Sequence, residues 1–258
     1  MQVYKFIFIF LLFASTASAH TFTANGEATT QGTTVKFGSG AADYTGAGND
    51  DYITAPDSTD FLFGANVDFT VEGWVYINAN GSNGWIAAQS GSGQESWALA
   101  TYGGGTNPGC YFSINDGTGD PWDYADFPNL AFPQNQWVHC AMARNGGTII
   151  GCEDGTCATL LTGFTQSLKD STASMTSGDQ PAAADFKGYV DEIRVSKGIA
   201  RYTGNFTPSS SAFTCDAESV VLLHFDGNFT DSGAGGCAAA AVPLIINRPG
   251  VIFFDSDD

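Results

Sequence analysis

The sequence predicts an all-β fold: a two-sheet antiparallel β-sandwich of the jelly-roll kind, with very little helix. Three observations lead there. Ten segments carry alternating or short continuous apolar residues bounded by Gly, Asn, Asp or Pro. No window offers three turns of i, i+3, i+4 apolar spacing with a cap, and only DSTDF (57–61) and SKGIARY (196–202) read as single short turns. The composition, 43% hydrophobic and 13% aromatic with 32 Gly and three Met, builds a core but is poor in helix formers.

The first nineteen residues stand apart from the fold. Lys5 precedes the apolar run FIFIFLLFA, and ASTASA offers a small-x-small cleavage site ending at Ala19. That pattern predicts a secretory signal peptide over 1–19 and a secreted, extracellular protein. A run of about nine apolar residues is too short for a bilayer core, which needs roughly 20, so no membrane insertion is expected. The strand signals then follow in order: DYITAP, DFTVEGWVYIN, GWIAAQSG, SWALATYG, CYFSIND, QWVHCAMAR, TIIGCEDG, CATLLTG, KGYVDEIRVSK and SVVLLHFDG. In DFTVEGWVYI, Phe69, Val71, Trp74 and Tyr76 cannot share one face, as fits a strand buried between two layers. A sandwich over 20–241 is expected, followed by a 242–258 tail whose PLIINRPGVIFF reads as an extra hairpin or an assembly strand.

Charge excludes one class of partner. Nine Lys+Arg stand against 27 Asp+Glu, a net charge of −18, which is the wrong sign for nucleic acid or an anionic membrane. Six cysteines, an even count in an exported chain, imply disulfides. The favoured pattern joins neighbours. Cys152 and Cys157 flank the turn EDGT, and Cys215 and Cys237 bracket VVLLHFDG, leaving Cys110 with Cys140; free buried thiols are the alternative. The absence of any CxxC spacing and the scarcity of His argue against zinc.

The order DYITAPDSTDFLFGANVDFTVEGWVYI, NQWVHCAMARNGGTIIGCEDG, GYVDEIRVSKGIARYTGNFTPSSS and LLHFDGNFTDSG resembles the laminin-G-like jelly rolls of the concanavalin A-like lectin/glucanase superfamily, over residues 35–235. One departure stands out. The LLHFDG…DSG element commonly opens the unit in related proteins and here lies near the C-terminus, so the chain resembles a circularly permuted unit in which SVVLLHFDG returns beside the first strand of the same sandwich or of a neighbouring molecule. The resemblance also implies a structural calcium where first and last strands meet. Carried onto this chain, its ligands are Asp191, Asp226, Asn228 and Asp231, while the opposing reading makes them turn residues that satisfy their own backbone.

Two catalytic readings are weighed and set behind a binding role. Retaining glycosidases need carboxylates about 5 Å apart, whereas Asp191 and Glu192 are adjacent, as are Glu153 and Asp154, and neighbours on a regular strand face opposite ways. His20 becomes N-terminal after cleavage at Ala19, as in copper-dependent polysaccharide monooxygenases, with His139 or His224 as the second ligand. A ligand site is read instead in NDGTGDPWDYADFPN: Asp116, Asp120, Asp123 and Asp126 alternate with Trp122 and Tyr124, rings to stack on sugar faces and carboxylates to take hydroxyls. A self-packed surface loop is the competing reading. Sequons stand at Asn80, Asn205 and Asn228. The expected function is a secreted, non-catalytic module that binds a glycan or an extracellular protein. The alternatives are a self-assembling adhesive subunit and, third, a polysaccharide-active enzyme.

Overall fold

The computed structural model of the chain describes residues 19–48, 50–78, 83–102, 109–118, 123–125, 133–179 and 186–233. Residues 1–18 of the expected signal peptide, the 242–258 tail, Asn80, Asp120, Trp122, Asp126 and Cys237 lie outside them. In chain order the strands are β1 (Thr23–Asn25), β2 (Thr29–Gln31), β3 (Ala41–Asp43), β4 (Tyr52–Ala55), β5 (Phe69–Ile77), β6 (Gly84–Gln89), β7 (Trp97–Tyr102), β8 (Gly109–Ile114), β9 (Asp123–Ala125), β10 (Trp137–Asn145), β11 (Thr148–Glu153), β12 (Thr156–Leu161), β13 (Met175–Gly178), β14 (Gly188–Lys197) and β15 (Ser219–Leu223). A 3-10 turn at Thr59–Phe61, capped by Ser58, occupies the first of the two expected short turns, and the described residues form no α-helix.

The strands form two antiparallel sheets. One has the order β1-β4-β13-β6-β7-β8-β9; the other has the order β12-β11-β10-β5-β14-β3-β2, with β15 also paired to β14. β14 is long enough to hold two neighbours on one edge, β3 at its start (Tyr189↔Asp43) and β15 at its end (Ile193↔Leu223). β15 therefore lies in line with β3, and its continuation bridges back to the beginning through Thr21↔Thr230.

Period-2 patterning builds the layer between the sheets. From β5, Phe69, Val71, Val75 and Ile77 point inward, and they meet Ile53, Ile86, Trp97, Leu99, Phe112 and Met175 of the opposite sheet in one buried cluster. Each such side chain contributes about 1.5–3 kcal/mol by leaving water. Phe63 stacks on Phe69 at 4.2 Å, and the Trp97 indole donates to the Phe61 carbonyl at 2.9 Å, so this buried ring satisfies its polar atom. The Cys110–Cys140 disulfide crosses this layer from β8 to β10, while Cys152–Cys157 links directly opposed residues of β11 and β12. Cys215 is also disulfide-bonded.

Candidate functional site

The outer face of the β10-β5-β14 sheet is closed by the segment that follows β14. Tyr202 and Phe206 stack on each other at 3.8 Å, and both, with Phe213, stand edge-on to the His139 ring. The fastening beneath is Glu72, whose side chain has no exposure. It accepts from His139 Nε2 at 3.1 Å, from Arg194 Nε at 2.8 Å and from the Tyr202 hydroxyl at 2.5 Å. Burial alone would push this carboxyl up, but the His139 hydrogen bond, the Arg194 charge and Tyr202 together hold it below the usual range. Arg201 extends the network to Asp216 at 2.7 Å. This face is a strapped surface, not an open one.

A β-bulge on β14 produces the second cluster. Asp191 stands opposite Trp74 and Arg194 opposite Glu72, so one extra residue is inserted, and Glu192 takes φ 54°. The rule that neighbouring strand residues face apart fails here. Asp191 and Glu192 interact electrostatically, and His224 Nδ1 meets Glu192 Oε1 at 2.7 Å. Burial pushes the Asp191 carboxyl up to about 7 against three backbone amides that pull it down, while the Glu192 hydrogen bond raises His224. Asp191 and Glu192 are 0% and 1% exposed, so a substrate meets neither directly.

The residues expected to hold calcium are spread over several backbone turns. Asp191 Oδ2 accepts from the amides of Lys36 and Phe37, and Asp226 Oδ1 from those of Ser39 and Gly40. Asn228 caps its own turn through Thr230 N. Asp231 Oδ1 accepts from Leu222 N and Gly233 N, and its Oδ2 accepts from the His20 backbone N and pairs with the His20 ring Nδ1, each of the last two at 2.9 Å. These partners fit the turn reading, and among the described residues no three or more His, Cys, Asp or Glu gather as a group that could hold a metal. His20 pairs with Asp231 and Asp60, His139 with Glu72 and His224 with Glu192, so each imidazole has a carboxylate partner. A cavity of about 540 Å³ opens beside His20, lined by Phe22, Thr30, Asn228 and Phe229.

The outer face of the other sheet differs. Residues directly opposed in neighbouring strands share a face. The register therefore sets Tyr52, Gly178, Trp85, Ala100 and Tyr111 in one row across β4, β13, β6, β7 and β8. The adjacent row is Thr54, Thr176, Ala88, Ala98 and Ser113, reaching the backbone position of Tyr124 on β9. Aromatic residues thus alternate with Gly or Ala, one on every second strand, a spacing of roughly 9.5 Å given the inter-strand distance. Trp85, Ala88, Ala98 and Ala100 form a cluster of their own, separate from the main core, with the half-buried Tyr111 packed on it. A bulge lets this happen: Ile86 and Ala87 both turn inward, leaving Trp85 and Ala88 outside.

The loop read from sequence as a ligand site borders this face, because β9 continues the sheet beyond β8. Its described side chain, Asp116, accepts from the Thr118 hydroxyl and amide, which hold its carboxyl low, as in an ordinary turn. Sequence reasoning passes over Trp85, Tyr111 and Tyr52, because the segments that carry them, GWIAAQ, CYFSIND and DYITAP, hold no local mark of a shared row, which is set by the pairing of strands distant in the chain. Of the sequons, Asn205 and Asn228 are exposed, and Asn205 Oδ1 accepts from Cys157 N.

No curated protein matches the chain. Among solved structures, the botulinum neurotoxin serotype D binding domain is 11% identical, with 75% of this chain and 45% of that one covered at a TM-score of 0.51. The serotype G binding domain is 12% identical, with the same coverages at 0.50. Domain 4 of AbnA, an extracellular GH43 arabinanase from Geobacillus stearothermophilus solved with arabinotriose, is 18% identical, with 69% and 82% covered at 0.45. The chain spans under half the length of the two toxin domains, and identities this low speak for the fold alone. Residues 47–200, more than half of the chain, match the Laminin_G_3 family model, and the protein therefore belongs to that family of the Concanavalin A-like lectin/glucanases superfamily.

Proposed function

We propose that the protein is an extracellular, non-catalytic module that binds a neutral carbohydrate chain on the outer face of the seven-stranded sheet. The observation that carries this reading is the row Tyr52, Gly178, Trp85, Ala100, Tyr111. Tyr52 and Tyr111, both half-buried, are the rings of this row that offer stacking surfaces to sugars, while Trp85, 6% exposed, packs beneath them as their support. The net charge of −18 favours an uncharged ligand over a sulfated or phosphorylated one. The opposite sheet is unavailable because its strap is pinned by Glu72. The bulge carboxylates serve as holders of the Lys36–Phe37 backbone and of His224, since neither has surface for a substrate.

The test is a glycan array with the full chain, followed by calorimetry on the best neutral oligosaccharide. Tyr111→Ala is expected to weaken binding at least tenfold with little change in melting temperature. Undiminished binding by a Tyr52→Ala/Tyr111→Ala double variant would remove this face from consideration. Release of reducing sugar from a polysaccharide would instead support the enzyme reading.

A further inference from the structure

A buried carboxylate grips the chain at one residue near its beginning. Asp231 follows β15 and bridges to Leu223, and its side chain has no exposure. Its Oδ1 is taken by the amides of Leu222 and Gly233. Its Oδ2 accepts from the His20 backbone N and pairs with the ring Nδ1, both at 2.9 Å. The His20 ring is fixed from its other side too, with Nε2 3.4 Å from Asp60 Oδ2 and its centroid 4.7 Å from that of Phe61. Thr21 then bridges to Thr230, so the His20 nitrogen is held in register with the residues after β15. A carboxylate out of water is normally matched by a cation, yet among the described residues no Lys or Arg pairs with Asp231.

The sequence supplies the missing charge. ASTASA ends at Ala19, so the leader expected over 1–19 is cut at the very bond whose nitrogen sits on Asp231. We propose that hydrolysis of the Ala19–His20 bond leaves a His20 α-ammonium that forms a buried ion pair with Asp231 Oδ2. A peptidase of the export machinery catalyses the cut, which consumes one water. The hydroxyl goes to the Ala19 carbonyl carbon and the hydrogen to His20 N, which takes a further proton from solvent because an α-amine is mostly protonated at pH 7. A neutral amide donor becomes a charged one in the same place, and charge-assisted bonds are roughly twice as strong as neutral ones. There is room for the change, since Ala19 is exposed and lines the cavity of about 540 Å³ beside His20, where the remaining hydrogens of the ammonium meet open space. The pair ties the start of the chain to the turn after β15, the strand that the permuted order brings in last. A chain that keeps its leader lacks it. The inference rests on the extracellular reading and is independent of sugar binding.

The experiment compares two full chains secreted from one host: the sequence as it stands, and the same sequence with Gly-Ser inserted between Ala19 and His20. The insertion returns an amide to His20 N and carries the ammonium away from Asp231. N-terminal sequencing of the secreted parent should begin at His20. The parent should melt roughly 3–10 °C above the extended protein, the scale of one charge-assisted bond in a chain of this size. Asp231→Asn keeps an oxygen for the amides of Leu222 and Gly233 and should bring the two melts together. A second measurement needs no change at Asp231: acylation of the terminal amine, followed by mass spectrometry, should run roughly tenfold slower in the parent than in the extended protein. A parent that begins elsewhere than His20, equal melts of parent and extended protein, a gap that survives in Asp231→Asn, or equal acylation rates would each overturn the proposal.

Discussion

Replacing Glu72 by Gln tests the logic of the strap. The carboxylate accepts from His139, Arg194 and Tyr202, none more than 3.1 Å away, and it sits fully buried. Gln keeps the shape but leaves the Arg194 guanidinium facing a neutral amide, a broken buried ion pair that costs about 3–5 kcal/mol. For a domain of this size that corresponds to a fall in melting temperature of roughly 6–20 °C. Tyr202→Phe removes one hydrogen bond to the same charge and should cost about 1.5–3 kcal/mol. The two losses share an interaction, so the double variant should cost less than their sum. Urea unfolding followed by tryptophan fluorescence, with calorimetry as a second probe, reads all three. A Glu72→Gln protein within about 1 kcal/mol of the parent, far below the cost of a broken buried pair, would show that the strap is held by ring packing alone. At temperatures where the variant stays folded, glycan binding should be unchanged, because the strap covers the other sheet.

Further outcomes follow from the same structure. Asp191, raised to about 7, is protonated in the folded state over a range where the unfolded chain has already ionised; stability should therefore fall as pH rises from about 4 to 7, and the slope should flatten in Asp191→Asn. Thermal melts at stepped pH check this. Removing Cys110–Cys140, which closes a span of 30 residues, should cost about 4 kcal/mol from chain entropy, against about 2 kcal/mol for Cys152–Cys157 with a span of 5; denaturant midpoints of the two Cys→Ala pairs give the ranking. Asp216 is held down to about 2, first by the hydrogen bond from Arg201, so its contribution should be full above about pH 4, be lost as pH falls from there through about 2, and be absent in Asp216→Asn. Acid unfolding of parent and variant, followed by fluorescence, reads the difference.

What the sequence tells and what it hides separate cleanly by range. Alternation in DFTVEGWVYI implies that Phe69, Val71, Trp74 and Tyr76 cannot share one face, because side chains on a regular strand obey period 2; in the structure Phe69 and Val71 lie in the layer between the sheets and Trp74 on the other side of its strand. The same rule misleads wherever a residue is inserted. Ile86 and Glu192 are bulge positions, and nothing in GWIAAQ or GYVDEIRV marks them, since an insertion is set by the partner strand. Long-range partners are equally hidden. The resemblance carries Asp191 over as a calcium ligand, and nothing local reveals its Oδ2 partners, Lys36 and Phe37, which lie 155 and 154 residues away. Glu72 gives no local signal because His139 and Tyr202 are 67 and 130 residues distant. The SVVLLHFDG strand is expected from sequence beside the first strand. It pairs with β14 because β3 covers only part of that edge, and the bridge to Thr21 comes from the residues after it.

The disulfide between β8 and β10 has a bearing on recognition that goes beyond holding the fold. Cys110 directly precedes Tyr111 on β8, and its bond to Cys140 fixes that strand to the opposite layer. Sheets joined only by side-chain packing can slide, and a ligand that needs one alignment must then select it. With the two layers cross-linked beside the ring, the alignment is set in advance, so for the binding role proposed above little interaction energy would be lost to ordering this face.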